Sequence, residues 1–465
     1  MNKALESYKE RIRGKKAAVL GFGVSNRPLA KTIAQWGADV TVFDRKNEEE
    51  FPSISEYKDL GIKFSLGQGY LDNLKGFDMI FRTPGMRFDI PEIQRELANG
   101  AELTSEMEVF FKLCPAKIYA VTGSDGKTTT TTLIYETLKQ EGYNCYLGGN
   151  IGTPLIDKVD EIDQNDKVVL ELSSFQLLTM KDSPDVAVIT NVSPNHLDIH
   201  KSMEEYIDAK KNIYRHQSND GRVVLNYDNL ITRSFIPEVK GRMILFSIKE
   251  ECATGAFLKG NTIVYREGNM EKEILSIDDI KLPGMHNVEN YLAAISAVIP
   301  EVSTGSIINV ARNFAGVEHR NEFVRTVNGV SFYNDSIGSS PTRTTATLKS
   351  FKRKVILIAG GYDKKLCYDE LGEIIHNNVK SMVLMGNTAD KIEKAYKDYV
   401  QKEKVDPIPV IRVSNMEEAV NAAYKLAASG DIVVLSPASA SFDLYSNFME
   451  RGNHFKEIVQ RLQTG

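Results

Sequence analysis

After the apolar run Lys117-Ile-Tyr-Ala-Val121 the chain reads Thr122-Gly-Ser-Asp-Gly-Lys-Thr-Thr129, and then a helical pattern through Glu136 to Gln140. A strand, a glycine-punctuated turn and a helix in that order can hold a nucleoside triphosphate. Gly123 and Gly126 let the backbone of Ser124 and Asp125 turn tightly and aim its N–H groups inward. Lys127 can reach the terminal phosphates, and Thr128, with Thr129 beside it, offers a hydroxyl to Mg²⁺. The helix start adds the positive end of its dipole. The glycine expected five residues before Gly126 is Val121, so the shorter form T-G-x-x-G-K-T carries the motif.

Other residues have the right chemistry to join this loop. Glu171 lies at the end of the apolar strand Lys167–Leu172, where an acid can hold Mg²⁺ directly or through water. His196 leaves the strand Val186–Thr190 among Asn195 and Asp198, in reach of metal or phosphate. Asn150 sits in the glycine-rich turn Gly148-Gly-Asn-Ile-Gly152, and Asn287 and Asn290 share one face of a helix that starts after Leu282-Pro-Gly284. Lys210, on the helical stretch Tyr206–Tyr214, reads from residue chemistry alone as an exposed cation, because an ammonium has no lone pair for a metal.

These residues need elements that deliver them to one place. Ala17-Ala-Val-Leu-Gly-Phe-Gly23 is a strand running into glycines. Leu29, Ile33 and Trp36 then recur at helical spacing, Gly37 ends that helix, and the strand Asp39–Asp44 finishes on an acid about 20 residues after the glycines, as in a dinucleotide-binding unit. Asn26 takes the place of the third glycine, which predicts looser packing of helix on strand. A nicotinamide or flavin dinucleotide, another nucleotide-like ligand and a structural turn all fit this stretch. The strand Phe77–Phe81 runs into Arg82-Thr-Pro-Gly85 at the same end of the sheet. Strands near Arg222–Asn226, Met243–Ser247 and Thr262–Tyr265 suggest an antiparallel addition. Beyond Val317 come Glu318-His-Arg320, Asn334-Asp335-Ser336, Gly360-Gly-Tyr-Asp-Lys364 and Ser436-Pro-Ala-Ser-Ala-Ser-Phe-Asp443, again at strand ends.

The expected fold is therefore α/β with three domains: a Rossmann-like N-terminal domain over 1–105, a central P-loop ATPase-like domain over 106–316, and a C-terminal Rossmann-like domain over 317–465. A chain of 465 residues has room for more than one core. With 57 basic and 62 acidic residues its net charge is −5, and no basic block marks a nucleic-acid surface. The four cysteines are scattered without a C-x-x-C pair and read as reduced thiols. No apolar run approaches membrane-spanning length and the N-terminus lacks a signal peptide's apolar centre, so a cytoplasmic protein without membrane or nucleic-acid partners is expected, as is a monomer.

Taken in order, T-G-S-D-G-K-T, G-G-N-I-G, E-L-S-S-F-Q-L, N-V-S-P-N-H-L-D, A-K-x-x-I-Y, H-N-x-x-N, E-H-R, N-D-S and L-S-P-A-S-A-S-F-D resemble the Mur ligase family, ATP-dependent enzymes that add amino acids to the cell-wall precursor peptide. The likeness runs the length of the chain. Within the family, the short Gly21-Phe-Gly23 domain, the ending Ser436–Phe448 with Glu-Arg-Gly-Asn453, and the absence of a D-N-P-R motif are most similar to the branch that joins D-glutamate to UDP-N-acetylmuramoyl-L-alanine.

That resemblance implies ATP, two Mg²⁺ ions and a role for each matching position. Lys127 and Thr128 would hold phosphate and Mg²⁺, with Glu171 and His196 at the metals. Lys210 matches a lysine carbamylated by CO₂, whose anionic carbamate would meet a second Mg²⁺. Asn287 and Asn290 would lie at the adenine, and Arg320 and Asp335 would complete the ATP site. Val24, Ser25, Asp44, Arg45 and Thr83 would cradle the UDP end, and Asn150 the muramoyl part. Ser339, Lys364, Ser441, Phe442 and Phe448 match positions for D-glutamate. One departure stands out: relatives carry a lysine where this chain has Ile337, so either that charge is dispensable or Lys364 or Arg343 replaces it. The implied reaction activates the alanyl carboxylate as an acyl phosphate, which the amine of D-glutamate attacks. A nicotinamide-dependent oxidoreductase, a nucleotide-gated binding protein and a folate polyglutamate ligase are the rival readings. The missing third glycine disfavours the first, and the full N-terminal α/β stretch the last.

Overall fold

The computed structural model describes residues 2–51, 54–193, 200–364 and 366–463. The chain divides into two compact units, Met1–Phe314 and Ala315–Gly465. Their strands form three sheets, the first two in the first unit and the third in the second.

The first sheet pairs, in order, Lys63–Leu66, Asp39–Asp44, Lys16–Leu20, Met79–Arg82 and Glu102–Thr104, all parallel. Ala17, Ala18, Val19 and Leu20 are fully buried, the unbroken apolar run of a central parallel strand covered on both faces. Strand order reverses on either side of Lys16–Leu20, so the turn after Leu20 opens at the crevice where such sheets take ligands. Asn26 does not loosen the following helix, Asn26–Gln35. Its buried side chain donates to the carbonyls of Leu20 and Gly21, both at 3.0 Å, and ties the helix start to the strand end.

The second sheet runs Met270–Ser276, Thr262–Glu267, Thr254–Lys259, Arg242–Ser247, Arg222–Asn226, Val186–Ile189, Lys117–Thr122, Lys167–Glu171, Cys145–Gly149. Only the pairings within Thr254–Ser276 are antiparallel. The strands Arg222–Asn226 and Arg242–Ser247, expected to be antiparallel, instead continue the parallel sheet, because a helical segment crosses over before each. Lys117–Thr122 lies between Lys167–Glu171 and Val186–Ile189, so three strand ends meet beside the phosphate loop. Leu133, Ile134 and Leu138 of the helix Lys127–Gln140 share a core with Tyr291, Leu292 and Ile295 of the helix Met285–Val298. A second core runs from Val19 of the first sheet and Leu29 of the helix after it through Phe110 and Ile156 to Leu170, joining both sheets into one unit.

In the second unit the sheet order is Glu322–Val327, Val330–Asn334, Ile432–Leu435, Val355–Ala359, Val379–Leu384, Val410–Arg412, parallel except for the first hairpin. The chain is thus α/β throughout, with two Rossmann-like sheets flanking the phosphate-loop sheet in sequence.

Candidate active site

Both glycines of the loop are there for backbone reasons. Gly126 has φ +75°, and a Cβ on it would strike Oδ1 of Asn290; a Cβ on Gly123 (φ +153°) would strike the Thr190 hydroxyl. Gly126 is also the N-cap of Lys127–Gln140 and has no side chain to give, so the first N–H groups of that helix keep their pull on an anion. The loop is braced from the next strand end. Asn191 Oδ1 accepts from the Asp125 N–H at 2.9 Å and Thr190 donates to the Asp125 carbonyl at 2.6 Å. Lys127 Nζ lies back on the Ser124 carbonyl at 2.8 Å.

Glu171 is buried at its strand end. Thr128 Oγ1 donates to its Oε2 at 2.7 Å and Asn150 Nδ2 to its Oε1 at 2.8 Å, which gathers three of the expected residues around one carboxylate.

Lys210 corrects the reading of an exposed cation. It lies on the buried face of the helix Met203–Arg215, 1% exposed, with Nζ donating to the Gly123 carbonyl at 2.7 Å and standing 4.6 Å from the centroid of the Tyr206 ring. Burial, then the charge of Lys127, pushes its proton affinity well below that of an ordinary lysine. That shift favours the neutral, nucleophilic form of the amine over the ammonium that an exposed lysine keeps.

Asn290 and Asn287 reach the same loop from the other side. Asn290 Oδ1 accepts from Thr130 at 3.3 Å, Asn290 Nδ2 donates to Asn287 Oδ1 at 3.2 Å, and Asn287 Nδ2 donates to the Pro283 carbonyl. In the first sheet, Asp44 accepts from the N–H of Phe22 at 2.6 Å and of Lys46 at 2.9 Å, holding the turn that presents exposed Val24, half-buried Ser25 and exposed Arg45. Thr83 closes on that turn: its N–H donates to the Leu20 carbonyl, and its Cγ2 would be 2.9 Å from a Cβ on Gly21.

The remaining candidates form a cluster of their own in the second unit. Asp335 is buried and accepts from Thr347 and Ser436, both at 2.7 Å, and from the Asn321 N–H. Burial raises its proton affinity against those bonds and the neighbouring Arg320 charge. His319 and Asn321 on either side of Arg320 both have positive φ, a turn held in a sparsely populated conformation. Exposed Phe442 packs edge-on to Tyr362, with Lys364 Nζ 5.8 Å from its ring; Ser441 is buried beside them and Ser339 half-buried after Ile337. The Phe448 carbonyl accepts from Ser336 at 2.7 Å.

His196, with Asn195 and Asp198, lies outside the described residues. Three residues went unremarked in the sequence reading. Tyr206, one helical turn before Lys210, places its hydroxyl 3.0 Å from Ser124 Oγ, a spacing that was legible. Thr190 showed no signal beyond ending a strand. Arg451, 1% exposed, donates to Ser336, Ser439 and Ala440, and burial draws it down to about 10. Its one cue was its place three residues after Phe448.

Residues 121–298 match the family described as the Mur ligase middle domain, and residues 319–439 the Mur ligase glutamate ligase domain. The UDP-N-acetylmuramoylalanine–D-glutamate ligase of Acetivibrio thermocellus is 60% identical over 100% of both chains, and that of Ruminiclostridium cellulolyticum 55% identical over 100% of both. Among solved structures, the UDP-N-acetylmuramate–alanine ligase of Thermotoga maritima superposes with a TM-score of 0.54 at 20% identity, covering 96% of this chain and 99% of that one. This last likeness speaks for the fold.

Proposed function

The chain belongs to the Mur ligase family, and on that premise we propose that it is an ATP-dependent ligase that adds D-glutamate to UDP-N-acetylmuramoyl-L-alanine in peptidoglycan precursor synthesis. The observation that carries the reading is the gathering of Thr128, Glu171, Asn150 and Lys210 around one phosphate loop. The three-way division of labour is a UDP-binding stretch 1–105, an ATP-binding stretch 106–316 and an amino-acid-binding stretch 317–465.

A carboxylate is a poor electrophile because oxide would have to leave. Transfer of the γ-phosphoryl group to the alanyl carboxylate supplies a phosphate leaving group, the D-glutamate amine attacks the acyl phosphate, and collapse of the tetrahedral adduct expels phosphate and leaves an amide. Lys127 and the N–H groups at the start of its helix bind the transferred phosphoryl oxygens, and Asn287 and Asn290 orient the adenine. Asp44, Arg45 and Thr83 hold the UDP end with Val24 and Ser25, and Asn150 the muramoyl part. The family likeness assigns Arg320 and Asp335 to ATP as well. Lys364, Ser339, Ser441, Phe442 and Phe448 receive D-glutamate.

The donor set fits Mg²⁺: a hydroxyl on Thr128 and a buried carboxylate on Glu171 are hard oxygen ligands, with His196 assigned to the metals from the sequence. Bound there, Mg²⁺ would neutralise the crowded anions of phosphoryl transfer. Lys210, whose buried amine sheds its proton readily, is suited to take up CO₂ as a carbamate and so present oxygen to a second ion. Among the described residues no helix is long and apolar enough to cross a membrane.

The test is phosphate release with ATP, Mg²⁺ and UDP-N-acetylmuramoyl-L-alanine against D-glutamate, L-glutamate, L-alanine, L-lysine and diaminopimelate. Turnover with D-glutamate alone is expected. Turnover with another amino acid would overturn the substrate, and ATP binding without turnover on any would favour a nucleotide-gated switch.

A further inference from the structure

Arg82 ends the strand Met79–Arg82 with its guanidinium inside the protein, 1% exposed. Burying that charge is costly, and packing alone would be met by an apolar side chain. The planar fork instead joins the turn after its own strand to the segment that follows the Glu171 strand of the second sheet. Nη1 donates to the carbonyls of Thr83 (3.2 Å), Pro84 (2.9 Å) and Met86 (2.6 Å), closing the turn that lies on Gly21. Nη2 donates to the Phe175 carbonyl and to Thr179 Oγ1, both at 3.1 Å. Phe175 is in the short helix Ser174–Leu177, which begins three residues after Glu171.

A second arginine fastens the far end of the same segment. Arg87 pairs with Asp89 at 2.8 and 2.9 Å and, through both terminal nitrogens, with Glu205 at 2.9 and 3.1 Å. Glu205 lies on the helix Met203–Arg215, five residues before Lys210. Lys201 joins the group through Asp89.

We propose that Arg82 and Arg87 are positioning residues that fasten the substrate-side segment 83–89 to the short helix that follows Glu171 and to the helix that carries Lys210. The inference rests on the reading that this segment borders the UDP-sugar site. Phosphoryl transfer needs the acceptor carboxylate within about 3–3.5 Å of the reacting phosphorus, and an error of about 1 Å can cost about a hundredfold. The substrate is gripped at one sheet and the phosphate at another, so that distance depends on what joins the sheets. A lysine at 82 keeps the charge but cannot serve acceptors on both sides of a fork.

The experiment compares the parent protein with Arg82→Lys and Arg87→Gln by titration calorimetry with UDP-N-acetylmuramoyl-L-alanine and, separately, ATP–Mg²⁺, together with steady-state rates and melting temperature. We expect each variant to bind the UDP-sugar about tenfold more weakly and to lose kcat, with ATP affinity within about twofold of the parent. A merely structural role would weaken both ligands together, and that result, or an unchanged UDP-sugar affinity and kcat in both variants, overturns the proposal. If Arg82→Lys does not fold, Arg87→Gln decides by the same criteria. A parent that binds no UDP-sugar refutes the assigned site and the proposal with it, whereas a parent that binds it without turning over D-glutamate refutes only the assigned reaction and leaves the calorimetric comparison to decide.

Discussion

Thr128 and Glu171 come from different elements, the helix Lys127–Gln140 and the strand Lys167–Glu171, yet the Thr128 hydroxyl donates to Glu171 Oε2 at 2.7 Å. The bond fixes the two hard oxygens side by side at the start of the helix, where the phosphates would enter. Glu171→Gln keeps the shape and the Asn150 contact but removes the charge. We expect phosphate release to fall about a hundredfold or more and the Mg²⁺ requirement to rise, with ATP binding reduced far less. Initial rates over a Mg²⁺ series check this, and an unaltered Mg²⁺ profile would remove Glu171 from the metal site.

Lys210 owes its chemistry to burial against Tyr206 and the Gly123 carbonyl. Lys210→Ala should abolish turnover, with partial recovery on addition of short-chain carboxylates that occupy the carbamate's place; Lys210→Arg should be inactive and not rescued. Full activity of the plain alanine variant would refute a carbamylated ligand.

Stability should respond to pH through Glu106. Burial, with a smaller push from Asp157, raises its carboxyl to about 8, and burial raises that of Glu108 to about 7. An unfolded glutamate titrates near 4.3, so between about 4.5 and 8 the native state binds more protons than the unfolded chain, and stability falls as pH rises through that window. Glu106→Gln removes one source of the slope. The difference in unfolding free energy between pH 5 and pH 8 should shrink by about 2–4 kcal/mol, as read from urea titrations at each pH. An identical slope in the variant would show that Glu106 ionises normally in the fold.

The place of the charge missing at Ile337 can be decided kinetically. Arg343 Nη1 lies 3.4 Å from the Ile337 carbonyl and props the turn, whereas Lys364 stands by Phe442 among the residues assigned to D-glutamate. Lys364→Ala should raise the KM for D-glutamate about tenfold and Arg343→Ala no more than about twofold. The reverse ranking would transfer the role to Arg343.

Reading along the chain was enough for the phosphate loop, because its ingredients are local. A glycine that must adopt positive φ, a lysine and threonine at a helix start, and an apolar run before them all lie within a dozen residues. The strand end that carries Glu171 was legible for a similar reason: burial on both faces writes an unbroken apolar run that stops where the sheet stops. Strand direction was not. Arg222–Asn226 and Arg242–Ser247 look like any short apolar strands, and whether they run parallel depends on the crossovers between them.

The sequence by itself therefore determined which chemistry the chain carries, through residue types at fixed spacing, and its likeness to a family assigned those residues their roles. Tertiary structure decided their environment. It turned Lys210 from a surface cation into a buried amine, brought Asn150 and Thr128 onto one carboxylate, and tied Arg82 to the segment that follows the Glu171 strand. Backbone preference acts over a few neighbouring residues, but desolvation and hydrogen-bond partnership arise from chain segments distant in sequence, such as the 93 positions between Arg82 and Phe175. No local pattern encodes them.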